Sequence, residues 1–287
     1  MSITIESNYR NNESLRAFFN TLAGKVFGLD FEGWYQNGFW KDNYNPYSVV
    51  IDGKVVSNVS VNRCDMNYKG TIVTLIQLGT VMTDPDHRGK GYSRMIMEKI
   101  MADYEGKADG MYLFANDSVK EFYPKFGFKE GREYQYSKEV ALAGNRCVIP
   151  VVMNTRKDWD KMVEILNDRK QNSAMYMVGN SGLYMFYLSQ FMQECVYRIP
   201  ESDTYVIAEE EDGELILHAI IGECDIDKVI AAFGNGIKRV TLAFTPKDIS
   251  GFDKQKLHEE DTTLFVKGRF FEEHEKDEFM FQAVTHA

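Results

Sequence analysis

The sequence lacks the features that mark several large classes of protein. Its 4 cysteines lie far apart and show no CxxC spacing, which argues against both a zinc site and a disulfide framework. No apolar run approaches the roughly 20 residues of a membrane-spanning helix, and no signal segment opens the chain. We therefore expect a soluble, cytoplasmic protein with buried free thiols and no membrane partner.

Positive charge is also scarce. The chain has 33 Lys and Arg against 43 Asp and Glu, which gives a formal net charge of −10. An acidic protein is a poor general binder of nucleic acid, so no nucleic-acid partner is expected. The same charge would favour the approach of a cationic small substrate, although it could equally serve only to keep the protein in solution. With 287 residues, of which 44% are hydrophobic, the chain suits one large domain or two modest ones.

Two widespread phosphate-binding signatures, GxxxxGK[ST] and GxGxxG, are absent. Residues Thr71 to Arg94 nevertheless read as an apolar strand, a break at Asp84-Pro85-Asp86, a basic loop with glycines, and a helix. Such a loop binds anions because free N–H groups and the helix dipole at its end favour negative charge. Arg88 and Lys90 add formal positive charge. The stretch therefore predicts a phosphate or pyrophosphate site.

The elements before this loop can be placed from local patterns. Residues Ser14 to Phe27 have the apolar spacing of an amphipathic helix, with Ser14 as a suitable N-cap. Asp52-Gly53 between two β-rich runs predicts a hairpin. The intervening stretch, Phe31 to Tyr47, is dense in aromatic residues. We interpret it as core packing of a second helix, with an aromatic wall for an acceptor substrate as the alternative.

The basic loop and a later segment resemble a known family. Arg88-Gly89-Lys90-Gly91-Tyr92-Ser93 resembles the R/Q-x-x-G-x-G/A pyrophosphate loop of the GNAT acetyltransferase superfamily, with Ser93 where Gly or Ala is usual. The next strand ends at an Asn in the family, and a Y-x-K-x-G-F type turn follows. The residues in those places are Asn116, Tyr123, Lys125, Gly127 and Phe128. The resemblance covers roughly residues 10–140 and implies an α/β (α+β) GNAT fold with a splayed mixed sheet.

The remainder of the chain loosely echoes this order. Asp212-Gly213 predicts another hairpin, and Phe279 to Val284 reads as a last strand. The segment from Gly222 to Asp227, however, is acidic and offers no second pyrophosphate loop. We therefore predict a catalytic GNAT domain over residues 1–140 and a degenerate GNAT-like domain, unable to hold a coenzyme, over residues 141–287. This tandem arrangement partly resembles the enhanced-intracellular-survival type acetyltransferases.

The resemblance implies acetyl-CoA as cosubstrate and no metal. In the family, backbone groups of the splayed strand hold the pantetheine arm, and by position these would belong to Val81, Met82 and Thr83. Asn116 is expected to contact the coenzyme, with capping of the following helix as the alternative. The loop N–H groups expected to hold the pyrophosphate are those of Arg88, Gly89, Lys90, Gly91, Tyr92, Ser93 and Arg94.

Proton transfers need an acid and a base. Tyr123 falls on the family's acid position, and a phenol of pKa ~10 can protonate a thiolate of pKa ~8.5; a core tyrosine is the alternative. The stretch Gln77 to Met82 contains no carboxylate to act as base. Asp84 and His87 lie nearby but could serve the turn. In the survival-type relatives the terminal carboxylate reaches the site, which makes the carboxylate of Ala287 the candidate here, with a frayed end as the alternative.

The expected function is that of an N-acetyltransferase. It would move an acetyl group from acetyl-CoA to a primary amine of a small, cationic acceptor by direct attack in a ternary complex. Two alternatives stay open: transfer of a longer acyl group, and a non-catalytic acyl-CoA-binding sensor or scaffold. The expected partner is a small-molecule amine, and assembly into a homo-oligomer is left open.

Overall fold

The computed structural model describes residues 2–141 and 144–287, which form two mixed β-sheets with helices packed on them. The helices are α1 (Glu13–Phe27), α2 (Glu32–Gln36), α3 (Tyr92–Tyr104), α4 (Arg156–Asp168), α5 (Ser181–Gln190), α6 (Ile226–Phe233) and α7 (Arg269–Glu273). The strands are β1 (Ile3–Ser7), β2 (Tyr44–Ile51), β3 (Lys54–Tyr68), β4 (Thr71–Thr83), β5 (Gly110–Ala115), β6 (Lys129–Glu130), β7 (Tyr134–Glu139), β8 (Ile149–Pro150), β9 (Met175–Val178), β10 (Val196–Ile199), β11 (Thr204–Glu211), β12 (Glu214–Ile221), β13 (Arg239–Leu242), β14 (Asp253–Lys256) and β15 (Thr263–Lys267).

The first sheet has the order β1-β2-β3-β4-β5-β15-β6, with β9 beside the far part of β3. The strands pair antiparallel except β4 and β5, which run parallel. Helix α3 crosses over between these two strands, as a parallel pair requires. The predicted α/β (α+β) class, with its mixed sheet, is confirmed.

The second sheet repeats this plan in the order β14-β7-β13-β12-β11-β10-β8. Its one parallel pair among the described residues is β12 with β13, joined by α6. The order of a meander, a crossover helix and a parallel strand is therefore the same in both sheets. This is the second GNAT-like α/β unit that the sequence predicts.

The two sheets exchange one strand each. Strand β7, from the first half of the chain, pairs with β13 and β14 in the second sheet. Strand β15, from near the end of the chain, pairs with β5 and β6 in the first sheet. Each exchanged strand covers an edge that would otherwise expose unpaired N–H and C=O groups. Membership of the sheets therefore does not follow the predicted division at residue 140, and that division stays a prediction.

Turn chemistry accounts for the hairpins. Asp52 and Gly53 have φ of 47° and 82°, and Asp212 and Gly213 have φ of 51° and 87°. Two positive φ values are the signature of the tight turn that Asp-Gly favours between twisted strands. Both hairpin predictions are confirmed.

Two local predictions are wrong. Helix α1 begins at Glu13 and is capped by Asn12, whose side chain accepts a hydrogen bond from the Leu15 N–H, so Ser14 lies inside the helix. The run Phe279 to Val284 forms no strand and leads instead into a 3₁₀ turn at Ala283–Thr285. Its apolar residues pack on the face of the first sheet and not at an edge of it.

The aromatic stretch belongs to the core. Phe31, Trp34, Trp40 and Tyr44 are all at most 5% exposed, and Phe31 stacks on Phe186 of α5 with 5.1 Å between ring centroids. These rings join the first sheet to the second half of the chain. The interpretation as core packing is confirmed.

Candidate active site

Strand β4 leaves its parallel neighbour halfway along its length. It pairs with β5 from Leu75 to Leu78 and then continues to Thr83 without that partner. On its other side, the pairing with β3 shifts between Asn58 and Ser60, so that β4 contains an extra residue there. The result is a gap that opens between β4 and β5 beyond Leu78. Backbone groups of β4 that face the gap have no strand to pair with.

The extra residue is at Thr80, which has φ of +46°. A left-handed conformation is unfavourable for a β-branched residue, and two side chains hold it. Asn58 donates from Nδ2 to the Thr80 carbonyl at 2.9 Å, and the Tyr44 hydroxyl shares a hydrogen bond of 2.6 Å with Thr80 Oγ1. The bulge fixes the direction of Val81. Sequence reasoning missed Thr80, because no local signal marks a threonine with positive φ.

The basic loop joins β4 to α3 and leaves the helix N-terminus open. Gly89 and Gly91 have φ of 75° and 82°, and no atom lies within 4 Å of where their Cβ atoms would be. Gly91 is the N-cap of α3, and no side chain accepts from the first turn. The N–H groups of Tyr92 to Arg94 therefore have no partner within the helix. Open space lies beside the two glycines that precede these donors.

Charge and anchoring at the loop are divided among its side chains. Arg88, Lys90 and Arg94 are exposed, while Arg88 Nε approaches the Thr83 carbonyl at 3.4 Å. Ser93 points the other way, and its Oγ shares a 2.9 Å hydrogen bond with Thr83 Oγ1. A small hydroxyl in place of Gly or Ala thus ties the helix to the end of β4. The electropositive face is left to the N–H groups and the cations.

Asp84 is committed to the turn. It accepts from the Asp86 N–H at 3.0 Å and from Lys25 Nζ at 2.9 Å. The hydrogen bond from Lys25 is the main cause of the lowered pKa of this carboxyl. Next to it, His87 Nδ1 is buried and has no hydrogen-bond partner among the described residues. Asp84 is thus held as a structural anion, which removes it from the candidate bases.

Asn116 follows the last residue of β5. Its side chain is exposed and makes no capping hydrogen bond to the 3₁₀ turn that begins at Asp117. The alternative role as a cap is therefore wrong for the side chain, although the Asn116 carbonyl accepts from the Val119 N–H at 3.1 Å.

Tyr123 begins a 3₁₀ turn and is 3% exposed. Its ring packs on Phe122, Phe128 and Phe265, with 5.6 Å between its centroid and that of Phe265. Phe265 is the residue of β15 opposite Leu113, where the gap begins. Burial raises the pKa of the Tyr123 phenol to about 12. The phenol therefore keeps its proton at neutral pH.

The end of the chain crosses the face of the first sheet toward the gap. Phe281 stacks on Tyr112 of β5 at 3.9 Å, and His286 stacks on Phe114 at 3.7 Å between ring centroids. A Cβ added to Gly79 would overlap the carbonyl carbon and oxygen of Ala287. The structure therefore brings Ala287 to β4 at the point where the two strands part.

Side chains from the second half of the chain hold this tail, residues 281–287, in place. The Tyr184 hydroxyl donates to Gln282 Oε1 at 2.6 Å, and Gln282 Nε2 donates to Gln171 Oε1 at 2.8 Å. The Tyr187 hydroxyl donates to the His286 carbonyl at 2.7 Å. A buried network of this kind fixes one conformation. Sequence reasoning missed these residues, since α5, which carries both tyrosines, shows no motif.

The predicted residues fall into three groups around the gap. Val81, Met82 and Thr83 line β4 beyond the bulge, and the loop from Arg88 to Arg94 follows directly. Ala287 lies at the base of the gap beside Gly79. Asn116 and Tyr123 are supplied by the chain that leaves β5.

Comparison with known proteins identifies the first part of the chain. Residues 13–131 match the sequence model of a family described as "Acetyltransferase (GNAT) domain". These residues hold the bulged strand, the basic loop and Tyr123. The family that these residues match is the one that the loop and the Tyr123 segment resemble. A search among curated proteins returned no match.

Solved structures extend the likeness to nearly the whole chain. A conserved protein of unknown function from Enterococcus faecalis, described as "Probable N-Acyltransferase", has a TM-score of 0.61 and 16% identity over 93% of this chain and 73% of its own. A GCN5-related N-acetyltransferase from Kribbella flavida has a TM-score of 0.58 and 16% identity over 93% of this chain and 72% of its own. Eis1 from Mycobacterium abscessus has a TM-score of 0.56 and 12% identity over 92% of this chain and 73% of its own. At these identities the likeness establishes the fold, including its second half.

Among the residues that the structure describes, no helix is both long enough and apolar enough to cross a membrane. In that same part of the chain, no group of three or more His, Cys, Asp or Glu side chains is placed to hold a metal ion.

Proposed function

We propose that this chain, whose residues 13–131 match the model of the GNAT acetyltransferase domain, transfers an acetyl group from acetyl-CoA to a primary amine of a small, cationic acceptor. One observation carries the proposal. The N-terminus of α3 is uncapped, lies next to two glycines with open space beside them, is flanked by Arg88 and Lys90, and is joined by the basic loop to a bulged strand with a free edge.

The coenzyme would bind along this surface from one end to the other. Backbone groups of Val81, Met82 and Thr83 would pair with the pantetheine amides as an added strand does. The N–H groups from Arg88 to Arg94 would hold the pyrophosphate, with help from the helix dipole. Asn116, whose side chain is exposed and makes no capping bond, would contact the pantetheine arm from the opposite strand.

The reaction would proceed by direct attack in a ternary complex. The amine nitrogen forms a bond to the thioester carbon, and the Val81 N–H, aimed by the bulge at Thr80, stabilises the oxyanion of the intermediate. The C–S bond then breaks, and Tyr123 gives its proton to the departing thiolate. The ammonium proton would pass to the carboxylate of Ala287, which lies against Gly79.

The preference for a cationic acceptor rests on charge. The net charge of −10 would raise the local concentration of a cation, and the strength of this effect falls with ionic strength. The Ala287 carboxylate at the base of the gap would add a local anion on the acceptor side.

Calorimetric titration with acetyl-CoA and CoA, combined with thiol release across a panel of small amines, tests the proposal. We expect one coenzyme per chain and thiol release that depends on the amine. Binding of the coenzyme without release by any amine would favour an acyl-CoA sensor. Release only with longer acyl-CoA donors would favour a different acyl group. Absence of binding would refute the pyrophosphate site.

A further inference from the structure

The imidazole of His286 lies at the base of the gap, where β4 and β5 part. It stacks on Phe114, with ring centroids 3.7 Å apart and planes 20° apart. Phe114 follows Leu113, the last residue of β5 that pairs with β4. The histidine is thus placed on the diverging part of β5, and the next residue, Ala287, contacts Gly79 on β4. The ring and the carboxyl group of Ala287 occupy the same end of the gap.

One ring nitrogen of His286 has no partner in the part of the chain that the structure describes. His286 Nε2 is buried and has no hydrogen-bond partner among the described residues. A buried polar atom without a partner costs about 1–3 kcal/mol, and such atoms are rare enough to call for an explanation. A substrate group that forms a hydrogen bond with Nε2 would explain why this atom has no partner. Burial also lowers the pKa of this ring to about 4, so it is neutral at pH 7 and one of its nitrogens is an acceptor.

The backbone on both sides of the ring is fixed. The Tyr187 hydroxyl donates to the His286 carbonyl at 2.7 Å, and the His286 N–H donates to the Ala283 carbonyl at 3.3 Å. Thr285 is fully buried. An imidazole held this way by stacking and by its own backbone is oriented before any ligand arrives, as catalytic groups need to be.

We infer that the His286 imidazole accepts the proton of the attacking amine and that the neighbouring carboxylate of Ala287 stabilises the imidazolium so formed. The inference rests on the proposed function and revises its base: the His286 ring takes the ammonium proton in place of the Ala287 carboxylate, and that carboxylate serves as the anion beside the ring. As the C–N bond forms, the N–H proton moves to the ring nitrogen. The electron pair of the C–S bond leaves with sulfur, which takes its proton from Tyr123. A base oriented beside an anion follows the logic of other acyl-transfer sites.

The other candidates near the gap do not suit this role. Asp84 is bound by Lys25, and His87 ends the 3₁₀ turn Pro85–His87 that leads into the basic loop. Gln77, on β4, also has a buried side-chain nitrogen with no partner among the described residues, but a side-chain amide cannot take up a proton at neutral pH.

The chain provides a matched control. His218, on β12 of the second half, also has buried ring nitrogens that make no hydrogen bond to the described residues, and its Nε2 lies 3.4 Å from Glu209 Oε1. His286→Phe keeps a ring to stack on Phe114 and removes the nitrogen. We expect turnover to fall ~10²–10⁴-fold, as for loss of a general base, with the melting temperature and CoA affinity preserved. His218→Phe should leave turnover unchanged.

Chemical rescue shows whether the His286 ring acts as a base or only fills space against Phe114. In His286→Ala, added imidazole should restore turnover at least about tenfold, whereas pyrrole, which has the same shape but no basic nitrogen, should not. Equal rescue by pyrrole, or full turnover in His286→Phe, would overturn the inference while the wild-type reaction still supports the proposed function. If the wild-type protein shows no amine-dependent thiol release, the proposed function fails, and the inference fails with it.

Discussion

The two halves of the chain build the same strand-loop-helix unit and give it opposite chemistry. Both β4 and β12 contain a bulge next to their antiparallel neighbour, at Thr80 in the first and at His218 in the second. Helix α3 begins at an uncapped Gly91 beside cations. Helix α6 begins at Asp225, whose carboxylate accepts from the Asp227 N–H at 2.8 Å. In the second half, a carboxylate already occupies the place that a phosphate would take.

The gap itself also differs. Strand β12 leaves β13 after Leu217, but its free edge is covered by the chain that follows α4. The Gly222 N–H donates to the Lys170 carbonyl at 2.8 Å, and the Asn172 N–H donates to the Ile220 carbonyl at 2.9 Å. In the described part of the first sheet, no segment pairs with β4 in this way beyond Leu78.

One topology can therefore be a binding site or a support. The pairing of strands and the bulge are the same in both halves, so neither feature decides whether a ligand binds. The difference lies in a few residues of the loop and in a short segment that fills the gap. The second half instead supplies α5, whose Tyr184 and Tyr187 hold the tail over the first sheet.

Removal of the Tyr123 hydroxyl should have the largest effect and shows whether the first gap is catalytic. In Tyr123→Phe, turnover should fall ~10²–10⁴-fold, because the thiolate loses its proton donor, while CoA affinity stays the same. The matched control is Tyr197→Phe on β10 of the second half, which should not change turnover. Steady-state kinetics and titration would measure both. Undiminished turnover in Tyr123→Phe would remove the phenol from the mechanism.

Reversal of charge in the loop makes the first half resemble the second. Arg88→Glu should weaken CoA binding on the order of 10²-fold, since a charge-assisted contact worth about 1.5–3 kcal/mol is replaced by repulsion. The loss should shrink as salt is added. Arg132→Glu, an equal change at an exposed site outside the loop, is the control. If both variants bind CoA equally well, the loop is not the pyrophosphate site.

A methyl group at Gly79 tests the role of the tail without altering the sequence of the tail. Gly79→Ala would collide with the carbonyl group of Ala287 and push it away from β4. Because a shift of about 1 Å can cost ~10²-fold, we expect turnover to fall about 10- to 100-fold. The control is Gly33→Ala on α2, where no atom lies within 4 Å of the new Cβ. Normal turnover in Gly79→Ala would argue against a role for the carboxylate of Ala287.

Local chemistry made part of this structure predictable. The Asp-Gly turns, the basic loop and the helix after it are each set by a few adjacent residues, so patterns in the sequence were enough. The segment from Asn116 to Phe128 was identified for the same reason. These residues define most of the coenzyme side of the proposed site.

The rest depends on contacts between residues far apart in the sequence. Helix α5 is apolar on nearly every side because it is buried, so it has no amphipathic period to detect. The exchange of β7 and β15 depends on which sheet edge each meets, and the contact between Gly79 and Ala287 joins opposite ends of the fold. Turn residues and hydrophobic periodicity predict neither the strand exchange nor the contact between Gly79 and Ala287.

The smallest expected effect is on the pH dependence of stability and concerns Glu133, which lies between β6 of the first sheet and β7 of the second. Its carboxyl is 6% exposed and accepts from the Phe281 N–H at 2.7 Å, at the start of the tail. Burial raises the pKa of this carboxyl from 4.5 to about 8. The folded state therefore holds a proton that the unfolded state releases above pH 4.5. The stability that this proton contributes is complete below that pH and is lost as the pH rises toward 8.

Across this window, the free energy of unfolding should fall by up to about 1.4 kcal/mol per pH unit, a factor of ten in the unfolding equilibrium. Glu133→Gln keeps an oxygen for the Phe281 N–H and has no proton to lose, so its stability should vary less with pH. Urea unfolding at several pH values would measure the difference, with Glu130→Gln, an exposed neighbour, as control. Parallel curves for Glu133→Gln and the wild type would mean that the carboxyl is ionised in the folded protein, and the tail would then be anchored by a charge.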